Sequence, residues 1–295
     1  MKRPFLYRIF RKSSSLAVIS VSVCLCGLLV FIGSNGVPAL GSELLFGEAP
    51  ALPAIFGKQP VWDGIWPALV GSVCLVVLTL CLAIFPGVGC GIYLAEYASP
   101  RVSAVVGGAV DMLAGTPSIV MGLFGFTLIL FLRHTVMPDA NTGLLLAAVC
   151  LSLLVLPVLI VSTREALDAV PDELKLTGVA LGFSKEQSIR HVQLPAAAGG
   201  IKSGIVLALG RSAEDTAVIM LTGVVANAGL PAGLCSKFEA IPFSIFYTTS
   251  QYQTQHELMR AFGASLVLLL LAGGLILFAH LMASQYRRRW QRGGS

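Results

Sequence analysis

Six long apolar runs dominate the pattern of hydrophobic and polar positions along the chain. They cover about residues 16–32, 65–94, 113–132, 142–161, 201–225 and 258–282. Each run is continuous, and each approaches the ~20 residues that a helix needs to cross a bilayer. The strands of a membrane β-barrel would instead alternate apolar and polar residues. The pattern therefore predicts an all-α, polytopic integral membrane protein with about six transmembrane helices.

Composition and charge placement agree with a lipid environment. Only 12% of the 295 residues are charged, whereas soluble domains average about 25%. The net charge is +5. Because the basic residues lie beside apolar runs, they indicate membrane topology rather than nucleic-acid binding. Lys and Arg concentrate at both termini and in residues 164–195. By the positive-inside rule, both termini and that segment are expected on the cytoplasmic side of the cell membrane.

The same pattern divides the chain into three parts. Residues 1–62 would hold a cytoplasmic tail, the first transmembrane helix and an outer loop. Residues 63–285 would form the core domain, and residues 286–295 a basic cytoplasmic tail. Within the core domain, residues 164–195 form the longest charge-bearing segment between apolar runs. A polar segment of this size in a chain built for lipid favours a docking surface for a soluble partner.

The fifth apolar run contains an unusual cluster of ionisable residues. A charge at the centre of a bilayer costs about 2.5–3.5 kcal/mol on insertion scales. Helical spacing would place Arg211, Glu214 and Asp215 on one face, directed into the bundle and followed by Thr216. Arginine offers a forked set of donors to an oxyanion. A nearby carboxylate could accept the proton of hydrogen phosphate and repel fully ionised sulfate. The cluster therefore predicts a substrate path, and a buried salt bridge that only fixes helix packing is the alternative.

The sequence shows no chemistry of its own for an energy source. Lys202-Ser203 resembles the end of a phosphate-binding loop, but the residue directly before the lysine is Ile201 and not the glycine that the motif requires. The four histidines are scattered without metal-ligand spacing. We therefore expect no enzyme activity, no metal and no cofactor, and energy must come from a partner or an ion gradient.

A short motif within residues 164–195 carries a family resemblance. Gly182 is followed after nine residues by Val192-Gln193-Leu194-Pro195. This is similar to G-x9-I-x-L-P, the second half of the cytoplasmic EAA loop of ABC-transporter permeases. Gly182 would allow a sharp bend that ends a first helix, and Pro195 suits the first turn of the next. The first half departs from the motif, because Leu176-Thr177-Gly178 stands where the family has E-A-A.

Longer stretches narrow the resemblance to the PstA/PstC family of phosphate-transport permeases. Residues 62–68, 91–98 and 115–125 resemble this family, and the start of the second run is closer to its PstA branch. Arg211-x-x-Glu214 matches an intramembrane Arg/Glu pair of the family. The resemblance implies the permease fold of type I ABC importers.

The resemblance also implies partners and roles for residues. The partners would be a PstC-like sister permease, a pair of PstB-like ATPase subunits that bind ATP, and an extracytoplasmic PstS-like phosphate-binding protein. The chain itself would lie in the inner membrane of a bacterium. Arg211 would attract the anion and Glu214 would tune selectivity. The residues expected to couple to the ATPase are Glu165, Glu173, Gly178, Ala180, Gly182, Leu194 and Pro195.

Three other functions stay open at the level of sequence. The same machinery could carry another oxyanion, such as molybdate or sulfate. A proton-coupled carrier could use Glu214 and Asp215 as a relay and would work without an ATPase. A membrane scaffold that transports nothing would tolerate neutralisation of Arg211, Glu214 and Asp215.

Overall fold

The computed structural model describes residues 3–292, except for the side chains of residues 3–9, 179 and 282–292. Among the described residues, the regular secondary structure is helical apart from one isolated bridge between Val224 and Phe238. In order, the α-helices are α1 (Arg3–Gly36), α2 (Ser42–Phe46), α3 (Ala51–Ile55), α4 (Trp66–Glu96), α5 (Pro100–Ala114), α6 (Ser118–Thr135), α7 (Leu144–Asp168), α8 (Asp172–Ala180), α9 (Lys185–Ser188), α10 (Leu194–Glu214), α11 (Ala217–Thr222), α12 (Ile241–Gln251) and α13 (Gln255–Arg292).

Six helical segments within the described residues are long and apolar enough to cross a membrane. They are Phe10–Ala39, Trp66–Glu96, Ser118–Thr135, Leu144–Asp168, Lys185–Glu214 and Gln255–Leu281. The prediction of an all-α protein with six membrane helices is confirmed. The first segment has none of its apolar window buried within the chain. Helix α1 meets α13 near its own C-terminal end, where Phe31 and Gly36 contact Phe262.

Helices α4 and α7 form the centre of the bundle and run in the same direction. Added Cβ atoms at Gly87 and Gly91 of α4 would lie 2.6 Å from Cβ of Leu159 and of Thr163 of α7. Small residues let two backbones approach closely in lipid, where packing rather than water drives helix association. The close approach of α4 to α7 therefore depends on these glycines.

Helix α10 packs on α7 in the opposite direction. Gly200 faces Ala166, and Gly204 lies so close to Ser162 that an added Cβ would fall 1.8 Å from the serine Oγ. On its other side α10 meets α13, with Gly210 near Ile276. The fifth crossing is therefore held between α7 and α13.

The third crossing begins later than predicted, and a separate helix precedes it. We predicted a single span over 113–132 preceded by a short polar step, but α5 runs to Ala114 and α6 begins at Ser118. Proline disfavours helical geometry in the residue before it and lacks the N–H of a continuing helix. Pro117 therefore separates the helical hydrogen bonds of α5 from those of α6. Most of the predicted polar step belongs to the helix α5.

The fifth crossing is also interrupted, so the prediction of one span over 201–225 is wrong. Helix α10 ends at Glu214, Asp215 is extended (φ −72°, ψ 120°), and α11 begins at Ala217. An added Cβ at Gly122 of α6 would lie 3.1 Å from the carbonyl oxygen of Ala217. The start of α11 thus packs about one turn into α6, so the break between α10 and α11 lies close to the start of the third crossing.

Several boundaries differ from the predicted ones. Helix α1 is longer than the apolar run because its polar first turns continue the helix, and α13 likewise extends beyond residues 258–282. The predicted outer loops at 33–62 and 226–257 contain the short helices α2 and α3 and the helix α12. The predicted division into parts at residues 62 and 285 stays a prediction. Residues 293–295 of the predicted basic tail lie outside the described residues.

Candidate functional site

Arg211 and Glu214 lie in the last turn of α10, on the wall of an open groove. The groove has a volume of about 790 Å³. Its lining residues are Val158, Ser203, Val206, Leu207, Gly210, Arg211, Glu214 and Ile276. Apart from Ser203, Arg211 and Glu214, these residues are apolar or glycine. The structure therefore brings a cation and a carboxylate together in an otherwise apolar wall.

The pair lies near the middle of the membrane thickness. Leu209 and Ala213 of α10 pack against Val76 of α4. At a rise of 1.5 Å per residue, Val76 is about 15 Å along α4 from Trp66. The hydrocarbon core of a bilayer is about 30 Å thick. Arg211 and Glu214 are therefore far from either surface, where an unpaired charge is costly unless it faces a polar path.

Arg211 and Glu214 do not neutralise each other. Among the side chains that the structure describes, the ion pairs are Arg164–Asp168, Lys175–Glu96 and His256–Glu43, and none includes Arg211. Arg211 is half-buried and Glu214 is exposed to the groove. A salt bridge that fixes packing within this chain is therefore not what the pair forms, and both groups stay available to a ligand.

Asp215 and Thr216 differ from their predicted placement. The prediction that Asp215 shares one helix face with Arg211 and Glu214 is wrong, because Asp215 follows the end of α10. Its Oδ1 instead accepts the backbone N–H of Val218 at 2.9 Å, which caps the first turn of α11. Neither Asp215 nor Thr216 is among the described residues that line the groove.

At the opposite end of α10, residues 164–195 form the expected helix–turn–helix, which we call the coupling loop. Gly182 has φ +75°, a left-handed conformation that glycine adopts without steric cost. The turn ends in a capping box, in which Ser184 accepts from the N–H of Gln187 and the Gln187 side chain accepts from the N–H of Ser184. An added Cβ at Gly178 would lie 2.6 Å from Oγ of Ser188, so α8 folds back closely on α9.

The second half of the coupling loop is continuous with the fifth crossing. Helix α9 passes through a π-helical segment, Ile189–Gln193, directly into α10. Pro195 stands in the first turn of α10, where it can donate no hydrogen bond, and its ring crowds the preceding turn. The wider π turn, in which Leu194 N–H bonds Ile189 O, accommodates that change. A helix thus joins the coupling loop to Arg211.

The coupling loop presents apolar side chains to solvent. Leu174, Leu176 and Leu181 are 44%, 64% and 65% exposed. Glu165, Glu173 and Ala180 are also exposed. Leu194, by contrast, packs with Leu167, Val170 and Ala197 at the base of the loop. Three exposed leucines on one segment are an unusual surface, and they fit a protein partner better than water.

Two lysines of the coupling loop contact the end of α4, and these contacts were not predicted from the sequence. Nζ of Lys175 lies 3.8 Å from a carboxylate oxygen of Glu96. Nζ of Lys185 donates to the backbone carbonyl of Glu96 and lies 4.7 Å from the ring centre of Tyr97. These residues are far apart in sequence, and no local pattern indicates their contact.

A second cavity lies at the end of the bundle away from the coupling loop. It has a volume of about 350 Å³ and is lined by residues ahead of α4, by α12 and by the start of α13. Glu239 lines it and is only 6% exposed. Burial raises the pKa of Glu239, and hydrogen bonds from the N–H groups of Gly229 and Ala228 lower it in part. Glu239 was not among the predicted site residues.

We expect Glu239→Gln to flatten the pH dependence of stability. A carboxyl whose pKa is raised in the folded state stabilises the fold below its ordinary value of 4.5. That contribution is lost as the pH rises through the higher folded pKa. Glutamine keeps an oxygen that can accept the Gly229 N–H but does not ionise. The melting temperature of the variant in detergent, relative to the natural protein, should therefore rise by a few degrees between pH 4.5 and 8. Parallel curves would contradict this.

Comparison with known proteins identifies the class of this bundle. The family of binding-protein-dependent transport system inner membrane components matches residues 87–292. This match covers more than half of the chain and includes the coupling loop, α10 and the groove. The chain belongs to this family, and it is therefore a multi-pass membrane component of a transport system.

Relatives and solved structures agree with this membership. The chain is 34% identical to the phosphate transport system permease protein PstA of Mycobacterium leprae, over 73% of this chain and 69% of the relative. It is 29% identical to PstC of Mesorhizobium japonicum, over 92% and 85%. A structure of the MetNI methionine ABC transporter in inward-facing conformations shares the fold, with a TM-score of 0.54 at 17% identity, over 82% of this chain and 98% of the other. The expected permease fold of an ABC importer is confirmed.

Proposed function

We propose that the chain is a permease subunit of an ATP-driven importer of inorganic phosphate. The observation that carries the proposal is the Arg211/Glu214 pair, which lies at mid-membrane depth on the groove without an ion pair between its members. The names of the relatives PstA and PstC support phosphate as the substrate. The chain does not hydrolyse ATP itself, since a partner ATPase supplies the energy.

The groove accounts for selectivity by charge and protonation. The guanidinium of Arg211 can donate two parallel hydrogen bonds to oxyanion oxygens. The Glu214 carboxylate can accept a hydrogen bond from the P–O–H group of hydrogen phosphate, whereas it repels an anion that carries no proton. Sulfate and molybdate are therefore disfavoured as the substrate. A proton relay through Glu214 and Asp215 is disfavoured because Asp215 caps α11 instead.

The two ends of the bundle support an assembly with three kinds of partner. A sister permease would close the open side of the groove, and a pair of ATPase subunits would dock on the exposed leucines of the coupling loop. An extracytoplasmic phosphate-binding protein would deliver the anion at the other end. In this assembly the coupling loop and both termini would lie in the cytoplasm of a bacterium, with the bundle in its inner membrane.

Reconstitution tests the proposal directly. The chain is co-purified with its sister permease, ATPase and binding protein, and inserted into liposomes that contain ATP. Uptake of radiolabelled phosphate should require ATP and the binding protein, and a tenfold excess of sulfate or molybdate should leave it unchanged. Strong competition by sulfate would show that phosphate is not the specific substrate. Uptake by the chain alone under a pH gradient would establish a secondary carrier instead.

A further inference from the structure

We propose that Glu96 is a positioning residue that fastens the coupling loop to α4, so that movement of the loop also moves the second membrane crossing. The proposal deepens the proposed function and rests on it. It concerns how force from an ATPase reaches the helices, and it assigns Lys175 and Lys185 as the partners of Glu96.

The contacts come from both helices of the coupling loop and meet at one point. Lys175 belongs to α8 and pairs with the carboxylate of Glu96 at 3.8 Å. Lys185 begins α9 and donates to the backbone carbonyl of Glu96. Glu96 is the last residue of α4. Each half of the helix–turn–helix is thus tied separately to the same helix end.

The surroundings make these contacts stronger than ordinary surface contacts. The side chain of Glu96 is 13% exposed and that of Lys175 is 30% exposed, so water screens the pair less than a fully exposed one. A cation at the C-terminus of a helix is favoured by the helix dipole, and Lys185 occupies that place on α4. The Tyr97 ring adds a cation–π contact with Lys185 at 4.7 Å.

The packing of α4 gives the contacts a mechanical consequence. Lys185 starts the helical segment that continues to Glu214, while Glu96 ends the helix that packs along α7. A displacement of the loop would therefore act on the fifth crossing through its own helix and on the second through Glu96. Beside the lysine contacts, Ile92 and Ala95 of α4 pack in the apolar cluster at the base of the loop.

The test is a double-mutant cycle on the reconstituted importer. Glu96→Gln, Lys175→Met and the double variant keep side-chain size and remove charge. Lys185→Met is measured separately, because its acceptor is a backbone carbonyl. The measured quantity is the number of phosphate ions imported per ATP hydrolysed, together with binding of the ATPase to the permease. A defect in folding or docking would lower ATPase binding, whereas loss of the fastening lowers only the ratio.

We expect each single variant to lower the ratio about fivefold, in line with loss of one charge-assisted hydrogen bond or partly buried ion pair. The Glu96/Lys175 double variant should be no worse than either single variant, since the pair acts as a unit. Lys185→Met should lower the ratio further when added to the double variant. Unchanged ratios, or a double variant whose loss equals the product of the single losses, would overturn the proposal.

Arg101→Met is the matched control. Arg101 is an exposed cation in the first turn of α5, at the same end of the bundle, and it should leave the ratio unchanged. The charge-exchanged variant, Glu96→Lys with Lys175→Glu, should recover part of the ratio even if a single variant assembles poorly. If the natural complex imports no phosphate at all, the proposed function fails. If it imports phosphate with the same ratio in every variant, only this inference fails.

Discussion

Arg211→Gln is expected to reduce phosphate uptake by at least about 100-fold while the protein still inserts and binds its partners. Hydrogen bonds to charged groups contribute about 1.5–3 kcal/mol each, and 1.4 kcal/mol corresponds to a factor of ten. The forked guanidinium can make two such bonds. Loss of both therefore corresponds to a reduction in uptake of about 100-fold or more. The substitution also leaves Glu214 as the unopposed charge on the groove wall, and an anion would then meet repulsion. Uptake into liposomes measures the effect.

Two further variants separate the roles of charge and geometry. Arg211→Lys keeps the charge but loses the forked donors, so we expect uptake between those of the natural protein and Arg211→Gln. Glu214→Gln removes the repulsion and should let sulfate compete with phosphate. Arg133→Gln is a control, because Arg133 lies off the groove and donates to Ala140 O and Asn141 Oδ1. Normal uptake by Arg211→Gln would remove Arg211 from the substrate path.

The crossings could be predicted from the sequence, whereas the later start of the third and the interruption of the fifth could not. Hydropathy averages over a window, and the apolar residues of 217–225 continue the run past Asp215 without a gap. At the interruption the Asp215 carboxylate accepts the N–H of Val218, a contact that hydropathy does not register. Pro117 was visible, but we placed it inside the start of a span, because membrane helices tolerate proline when neighbouring groups satisfy the freed carbonyls. Local sequence does not decide between these outcomes.

The candidate site divides in the same way. Arg211 and Glu214 were predictable because ionisable residues are rare in apolar runs, and Gly182 because a sharp turn needs a positive φ. The partners of Glu96 were not, since they depend on how the coupling loop folds back on α4. Glu239 was also missed, because an acid in a polar loop looks exposed until the loop is folded over it. Pairing between distant residues is set by tertiary packing, which one sequence does not show.

Gly182→Pro is expected to lower phosphate uptake at least about tenfold by misdirecting the coupling loop. Proline fixes φ near −65°, whereas Gly182 has φ +75°. The chain would therefore leave residue 182 along a different path. Helix α8 could then no longer fold back on α9 with Gly178 against Ser188. The exposed leucines would then leave the surface proposed for the ATPase. Uptake and co-purification of the ATPase should fall together, while insertion of the six membrane helices is retained.

Gly229 offers a matched control for backbone strain. It has φ +73°, and an added Cβ would meet open space there, as at Gly182. Alanine at either position therefore costs a similar ~1–2 kcal/mol, but Gly229 lies in the loop beside the Glu239 cavity, at the other end of the bundle. Gly182→Ala should weaken ATPase-driven uptake more than Gly229→Ala, although both should lower thermal stability equally. Gly182→Trp adds bulk at the turn and should block docking outright. If uptake survives both Gly182→Pro and Gly182→Trp, residues 164–195 do not couple the ATPase to the membrane helices.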